Sequence, residues 1–273
     1  MTADLRGKTV LITGATDGLG RGLAADVARA GATVLLHGRD RGRLRATDLE
    51  LRDAAQVRCY CADFAELAQV RRMAEEVLAR EERLDVLVNN AGIGDDDPGG
   101  GARVLSADGY ELRFAVNYLA GYVLARELLG LLRASAPSRI VNVSSGGQWE
   151  LDFGDLMIEH GYSGMRAYCQ SKLAQILFTF DLAEELAGTG VTATCLHPAT
   201  YMPTKMVRSP ISTLQEGVDA TLRLVADPAL DGVTGEYFEG TRRSRPDPQA
   251  YDPRARRRLR ELSHELVATT SAR

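Results

Sequence analysis

Short apolar runs without polar alternation recur along this chain, each followed by a stretch of helical period. Val10 to Ile12, Thr33 to Leu36, Val57 to Cys61, Val86 to Val88, Ile140 to Val143 and Val191 to Leu196 read as strands. A strand with one wet face alternates apolar and polar residues, so runs that do not alternate are buried on both faces. That requires a parallel sheet covered by helices on each side. Helical periods fill the gaps at 19–30, 40–54, 64–81, 109–134, 165–187 and 214–225, with a short strand at Glu236 to Phe238 and a terminal helix at about 252–268. The alternation predicts a doubly wound α/β fold. No repeat or linker divides the 273 residues, so 1–273 reads as a single domain, with a surface loop at Gly94 to Gly101 and an irregular region at about 200–214.

The first strand runs into Thr13-Gly14-Ala15-Thr16-Asp17-Gly18-Leu19-Gly20 and then a helix. Glycines let a backbone turn tightly and approach a pyrophosphate, whose charge meets the amide groups and positive dipole end of the following helix. The spacing is G-x-x-x-G-x-G rather than the G-x-G-x-x-G dinucleotide fingerprint.

Downstream, Tyr168-Cys169-Gln170-Ser171-Lys172 sets a phenol and an ammonium four residues apart in a helical stretch. Four residues return to nearly the same helix face about 6 Å further on, so the cation bears on the phenol oxygen. A free tyrosine has a pKa near ~10, and a neighbouring cation that favours phenolate brings it toward the working range of a proton carrier.

Composition limits the alternatives. The chain is 45% hydrophobic and 26% charged, with a net charge of −4, which gives no reason to expect a nucleic-acid partner. No apolar run approaches a membrane span and no signal-peptide pattern opens the sequence, so the expectation is a cytoplasmic protein without a membrane partner. Cys59, Cys61, Cys169 and Cys195 form neither a disulfide framework nor a metal spacing, and read as reduced structural thiols. Arg242, Arg243 and Arg245, followed by Arg254 to Arg260 interleaved with Asp247, Asp252 and Glu261, read as a solvated terminal helix rather than an anion-binding patch.

Taken in order, T-G-x-x-x-G-x-G at 13–20, Asn89-Asn90-Ala91-Gly92 after the fourth strand, Asn117 in the next helix, Val143-Ser144-Ser145 after the fifth strand and Y-x-x-x-K at 168–172 resemble the short-chain dehydrogenase/reductase family over essentially the whole chain. The resemblance implies an NAD(P)-dependent oxidoreductase of Rossmann type with a seven-stranded parallel sheet, acting on a small-molecule substrate. It makes Tyr168 the general acid for carbonyl reduction or the base for alcohol oxidation. Lys172 lowers its pKa and holds the nicotinamide ribose, Ser145 hydrogen-bonds the substrate oxygen with Ser144 structural, and Asn117 anchors a proton-relaying water. Gly14, Thr16, Asp17, Gly18, Leu19 and Gly20 would cradle the cofactor together with Asn90, Ala91 and Gly92, and Asp63 would meet the adenine or serve as a helix cap. Homodimers or homotetramers through the long helices holding Asn117 and Tyr168 follow by analogy.

Cofactor choice rests on Leu36-His37-Gly38-Arg39-Asp40. Gly38 stands where NAD-binding relatives carry an acid, and the Arg39 guanidinium attracts a 2′-phosphate, so NADP is favoured, with NAD possible because Asp17 and Asp40 lie nearby. Ser145 and Tyr168 are 23 positions apart, and the insert carries Trp149, Leu151, Phe153, Leu156, Met157 and Ile158. This spacing is most similar to the retinol-dehydrogenase-like branch and its bacterial relatives, which implies bulky lipophilic carbonyls or alcohols, although the same residues would serve for packing. At His197-Pro198-Ala199-Thr200, relatives usually read Pro-Gly; Pro198 and either Thr200 or Thr204 would contact the nicotinamide carboxamide, and His197 reads as structural. Tyr201, Met202, Met206 and Val207 are candidate substrate-lining residues. The expected activity is an NADP-preferring interconversion of a secondary alcohol and a ketone or aldehyde. The alternatives are a non-catalytic NADP-binding sensor and an epimerase or dehydratase using transient oxidation.

Overall fold

A computed structural model describes residues 4–96, 99, 101–203 and 209–271. Eight strands form one sheet in the order β3-β2-β1-β4-β5-β6-β7-β8: β1 Thr9–Ile12, β2 Thr33–Gly38, β3 Val57–Cys61, β4 Val86–Asn89, β5 Ser138–Val143, β6 Val191–His197, β7 Glu236–Glu239 and β8 Arg242–Ser244. The first seven pair in parallel, as expected. The eighth is antiparallel to β7, Phe238 lying opposite Arg243. Gly240, at φ +57°, sits in the reversal between them. Arg242 and Arg243 therefore belong to an edge hairpin and not to the terminal helix in which the basic cluster was expected.

Successive residues along the strands face opposite layers. Leu11, Leu35, Leu87, Ile140 and Ala193 pack toward α3 (Leu67–Arg80), α4 (Ala120–Glu127), α5 (Leu129–Ala134) and α6 (Gly164–Glu185). Val10, Ile12, Val34, Leu36, Val88 and Val141 pack toward α1 (Gly18–Arg29), α2 (Arg41–Leu51) and α7 (Leu214–Ala226). Each fully buried Leu or Ile contributes about 1.5–3 kcal/mol to burial on its side. Local signals fix the helix starts. Asp17, Asp40 and Ser163 accept backbone N–H bonds at the heads of α1, α2 and α6, and Thr213 with Glu216 closes a capping box on α7.

The helix expected over 109–134 is broken. Phe114–Leu119 is a π-helical turn holding Asn117, followed by α4 and then α5, with Leu128 at φ −87°, ψ 0° between the two. The helix expected from Phe64 begins at Leu67, because Asp63 first makes a turn by accepting from Ala65 N, and Asp108 receives Leu67 N.

α8 (Pro253–Ser271) packs on α6 and α3. The Tyr118 hydroxyl and Ser263 Oγ are 2.7 Å apart, Arg260 pairs with Asp181 at 2.7 Å, and Arg256 pairs with Glu184 at 2.7 Å. These arginines are thus partly paired against the sheet-covering layer rather than wholly solvated. All four cysteines are free thiols. Among the described residues, no helix is long and apolar enough to cross a membrane, and no group of three or more His, Cys, Asp or Glu residues is placed to hold a metal.

Candidate active site

The glycine turn closes against the loop after β4. Gly14 and Gly18 adopt φ +67° and +49°, which only glycine takes without strain. Thr13 Oγ1 donates to Val88 O and accepts from Asn90 N at 2.9 Å and Ala91 N at 3.0 Å. Asn90 Nδ2 donates to Thr13 O at 2.8 Å. A β-carbon on Gly20 would lie 2.2 Å from Gly14 O, so the turn and the head of α1 are in backbone contact. Asn90 and Ala91 thus build the wall of the turn. Thr13 joins the two segments, a role its place in the motif alone did not indicate.

His37, at the end of β2, was not singled out in the sequence. Its Nδ1 accepts from Gly14 N at 3.2 Å, so Nε2 carries the proton and donates to Ala62 O at 3.1 Å, while the ring stacks on Phe64 at 4.1 Å. Burial depresses its pKa to about 4 and keeps the ring neutral. Gly38 packs so closely on Thr16 that a β-carbon would meet Thr16 Cγ2 at 2.8 Å. Arg39 is exposed beside it. Asp40 is committed to capping α2 through Arg43 N at 2.9 Å, and Asp17 caps α1 through Gly18 N at 2.9 Å, with Arg43 Nη1 3.9 Å from its carboxylate.

On the other side of the sheet's carboxyl end, α6 brings Tyr168 and Lys172 to β5. Ser144 Oγ donates to the Lys172 carbonyl at 2.8 Å and is structural, whereas Ser145 Oγ accepts from Gly147 N at 3.0 Å and is hydrogen-bonded with Tyr168. Lys172 Nζ stands 5.8 Å from the Tyr168 ring centroid and donates to Val143 O at 3.0 Å and Gln175 Oε1 at 3.1 Å. Burial lowers its pKa to about 8. Burial also raises the Tyr168 pKa, with Ser145 acting in the opposite sense. The expectation that Lys172 depresses the phenol is therefore not met in the protein alone, because desolvation of the phenolate is the largest effect on that group.

Asn117, turned inward by the π-helical turn, accepts from Ile93 N at 2.8 Å and donates to Ile93 O and to Ser171 Oγ at 2.9 Å. Gly92 lies between it and Lys172: a β-carbon there would be 3.2 Å from Asn117 Oδ1 and 3.5 Å from Lys172 Nζ. Gly147 presses on Cys169, Ser145 and Tyr168 in the same manner. It was missed in the sequence, its only signal being two glycines directly after the serine pair. Ser145, Tyr168, Lys172, Asn117 and Gly92 thus converge, with the glycine turn across the sheet from them.

The match is with a known family. The sequence profile described as short chain dehydrogenase fits residues 8–214. The chain belongs to the short-chain dehydrogenase family. Retinol dehydrogenase 14 of Homo sapiens is 37% identical over 96% of this short-chain dehydrogenase and 87% of its own length, and retinol dehydrogenase 13 of Mus musculus 37% identical over 99% and 86%. Among solved structures, an uncharacterized protein from Mycobacterium Paratuberculosis superposes with a TM-score of 0.84 at 30% identity, covering 98% of this chain and 96% of that one. The Pseudomonas aeruginosa RhlG/NADP active-site complex superposes with a TM-score of 0.71 at 26% identity, covering 86% and 95%.

The insert between Ser145 and Tyr168 divides in two. Leu151 and Ile158 are buried, Leu151 exchanging backbone bonds with the Gln249 side chain at 2.7 and 3.1 Å, and Phe153, Leu156 and Met157 pack on the core. Trp149 and Met165 remain about half exposed, at 49% and 46%. Its middle packs on the core, and its ends are exposed. Beyond β6, Pro198 is buried, and His197 Nε2 lies 2.9 Å from Thr200 Oγ1 with its ring against Gly146. Tyr201 is 61% exposed, and Met202 packs on Gly217. Thr204, Met206 and Val207 lie outside the described residues.

Proposed function

We propose that the protein is an NADP-preferring reductase or dehydrogenase that interconverts a secondary alcohol with a ketone, or a primary alcohol with an aldehyde, on a bulky lipophilic small molecule. The observation that carries this reading is the convergence of Tyr168, Ser145, Lys172 and Asn117 opposite a glycine turn. The residues fit a dinucleotide. The turn leaves no room for a β-carbon at Gly20 and presents the head of α1, and the exposed Arg39 guanidinium beside Gly38 supports a 2′-phosphate as its partner. When bound, the nicotinamide supplies or accepts a hydride at the substrate carbon.

In reduction, negative charge develops on the substrate oxygen. Ser145 Oγ–H and Tyr168 Oη–H donate to that oxygen, and Tyr168 then transfers its proton to it. The raised pKa keeps the phenol protonated and ready to give. Lys172 would hold the ribose hydroxyls and favour the phenolate left on Tyr168, which would regain a proton from solvent by way of Lys172 and Asn117. In oxidation the same residues act in reverse, Tyr168 taking the alcohol proton. The exposed Trp149 and Met165 support a lipophilic substrate, as do the retinol dehydrogenase relatives.

The test is NADPH absorbance loss across a panel of ketones and aldehydes. Turnover is expected, with Tyr168→Phe lowering kcat by about 10²–10⁴ while NADPH still binds. NADPH binding without reduction of any carbonyl, and with no effect of Tyr168→Phe, would overturn the reading in favour of a sensor.

A further inference from the structure

Lys172 is an unusual cation: it is only 5% exposed, and among the described residues no carboxylate lies within ion-pair distance of it. A buried ammonium must be satisfied by hydrogen bonds or it neutralises. It has three donors, and the protein accepts two of them, through Val143 O and Gln175 Oε1. Val143 O is backbone at the end of β5 and cannot be varied. Gln175 is the side chain the sequence could have changed.

Gln175 lies three residues beyond Lys172 on α6 and is itself buried, at 4% exposure. Its seat is braced: Thr179 Oγ1 donates to the Gln175 carbonyl at 2.7 Å and accepts from Asn142 Nδ2 at 2.8 Å, and Asn142 Oδ1 accepts from Asn89 Nδ2 at 2.8 Å. The backbone of α6 at Gln175 is thus tied to β5 and β4, the strands followed by Ser145 and Gly92, and the amide reaches Lys172 from that fixed turn of helix. We propose that Gln175 is a positioning residue, whose amide oxygen joins the Val143 carbonyl in fixing the Lys172 ammonium so that its remaining N–H serves the cofactor ribose. This rests on the function proposed above.

The groups around the ammonium are few. Tyr168 is on the same helix, Asp95 after β4 and Cys169 act on Tyr168, and Ser145, Asn117 and Asn142 are neutral. Changing Gln175 therefore alters the immediate partner of Lys172 without rearranging a charge network. The uncharged substitution Gln175→Leu disfavours the ammonium, and Gln175→Glu favours it.

The sequence contains three lysines, Lys8, Lys172 and Lys205, so carbon-13 lysine labelling gives a spectrum that Lys172→Ala assigns. In the cofactor-free protein, the Lys172 titration midpoint should fall by about one pH unit in Gln175→Leu and rise by about as much in Gln175→Glu. In the active enzyme, the alkaline limb of kcat/KM should move in the same two directions. Unmoved midpoints in the folded variants overturn the proposal, as does a moved midpoint with a fixed limb. If Gln175→Leu does not fold, the near-isosteric Gln175→Glu decides alone. A wild-type protein that reduces no carbonyl defeats the functional reading instead, a result separate from the titration.

Discussion

The Ser144 hydroxyl donates to the backbone carbonyl of Lys172 over 2.8 Å, tying the end of β5 to the helix that carries Tyr168. The two adjacent serines therefore do different work, and substitution should separate them. Ser144→Ala is expected to cost about 1 kcal/mol of stability while changing kcat only a few-fold. Ser145→Ala should lower kcat about 10²–10³-fold, as loss of a donor to a developing oxyanion does, with little change in melting temperature. Paired denaturation and kinetic measurements check both.

His37 gives the fold a pH dependence of known sign. Its pKa falls from 6.5 in the unfolded chain to about 4 when buried, so the unfolded state binds the proton first. The stability it supports is complete above pH 6.5 and declines as the pH falls toward 4, by about 3 kcal/mol in all. Urea midpoints measured across that window should drop more steeply in the wild type than in His37→Asn. Equal slopes would show that His37 titrates normally.

Two glycine-to-alanine substitutions should have opposite effects. Gly20→Ala drives a methyl to within 2.2 Å of Gly14 O, where only backbone can yield, and should abolish NADPH binding or folding. Gly130 in α5 has nothing within 4 Å of its missing β-carbon. Gly130→Ala should stabilise the protein by about 0.5–1 kcal/mol. Calorimetry with and without cofactor reads both.

Arg113 is fully buried. It donates to Gly94 O at 2.8 Å, Asp95 O at 2.5 Å and Tyr162 Oη at 2.7 Å, and lies 3.6 Å from buried Glu111. Arg113→Met leaves the buried Glu111 carboxylate without its cation, though still hydrogen-bonded by Phe114 N and Tyr162 Oη, and should destabilise by about 3 kcal/mol. Adding Glu111→Gln should recover part of that loss, a non-additivity that chemical denaturation of the single and double variants would reveal.

Arg39→Asp tests the cofactor reading. Replacing a phosphate-attracting guanidinium with a carboxylate should shift the NADPH to NADH ratio of kcat/KM toward NADH by about 10²-fold or more. Parallel kinetics with the two cofactors decide it, and an unchanged ratio would remove Arg39 from the site.

The layer order, the parallel strands and the glycine turn were legible because each is local: unbroken apolar runs, helical periods and positive-φ glycines write themselves into short stretches. The juxtaposition of Tyr168 with Lys172 was legible for the same reason, being one helical turn. The break of the 109–134 helix into a π-helical turn was not, since the inward Asn117 of that turn pairs with the backbone of Ile93, a partner outside the helix that the local period does not reveal. His37 and Gln175 escaped notice because a lone polar residue in an apolar run carries no periodic signal, and its partners, Gly14 N and Lys172 Nζ, follow only from the tertiary fold. The Tyr168 pKa went the other way from the expectation because sequence spacing reveals a neighbouring charge but not the loss of water around it.

α8 is synthesised after every helix it covers. Until it arrives, the aromatic surface of Tyr118, Tyr122 and Phe178, whose rings lie 5.1 to 6.2 Å apart, stands open to water on a nascent chain otherwise able to form its sheet. Chaperone capture during translation should therefore centre on that flank and end when residues 253–271 dock.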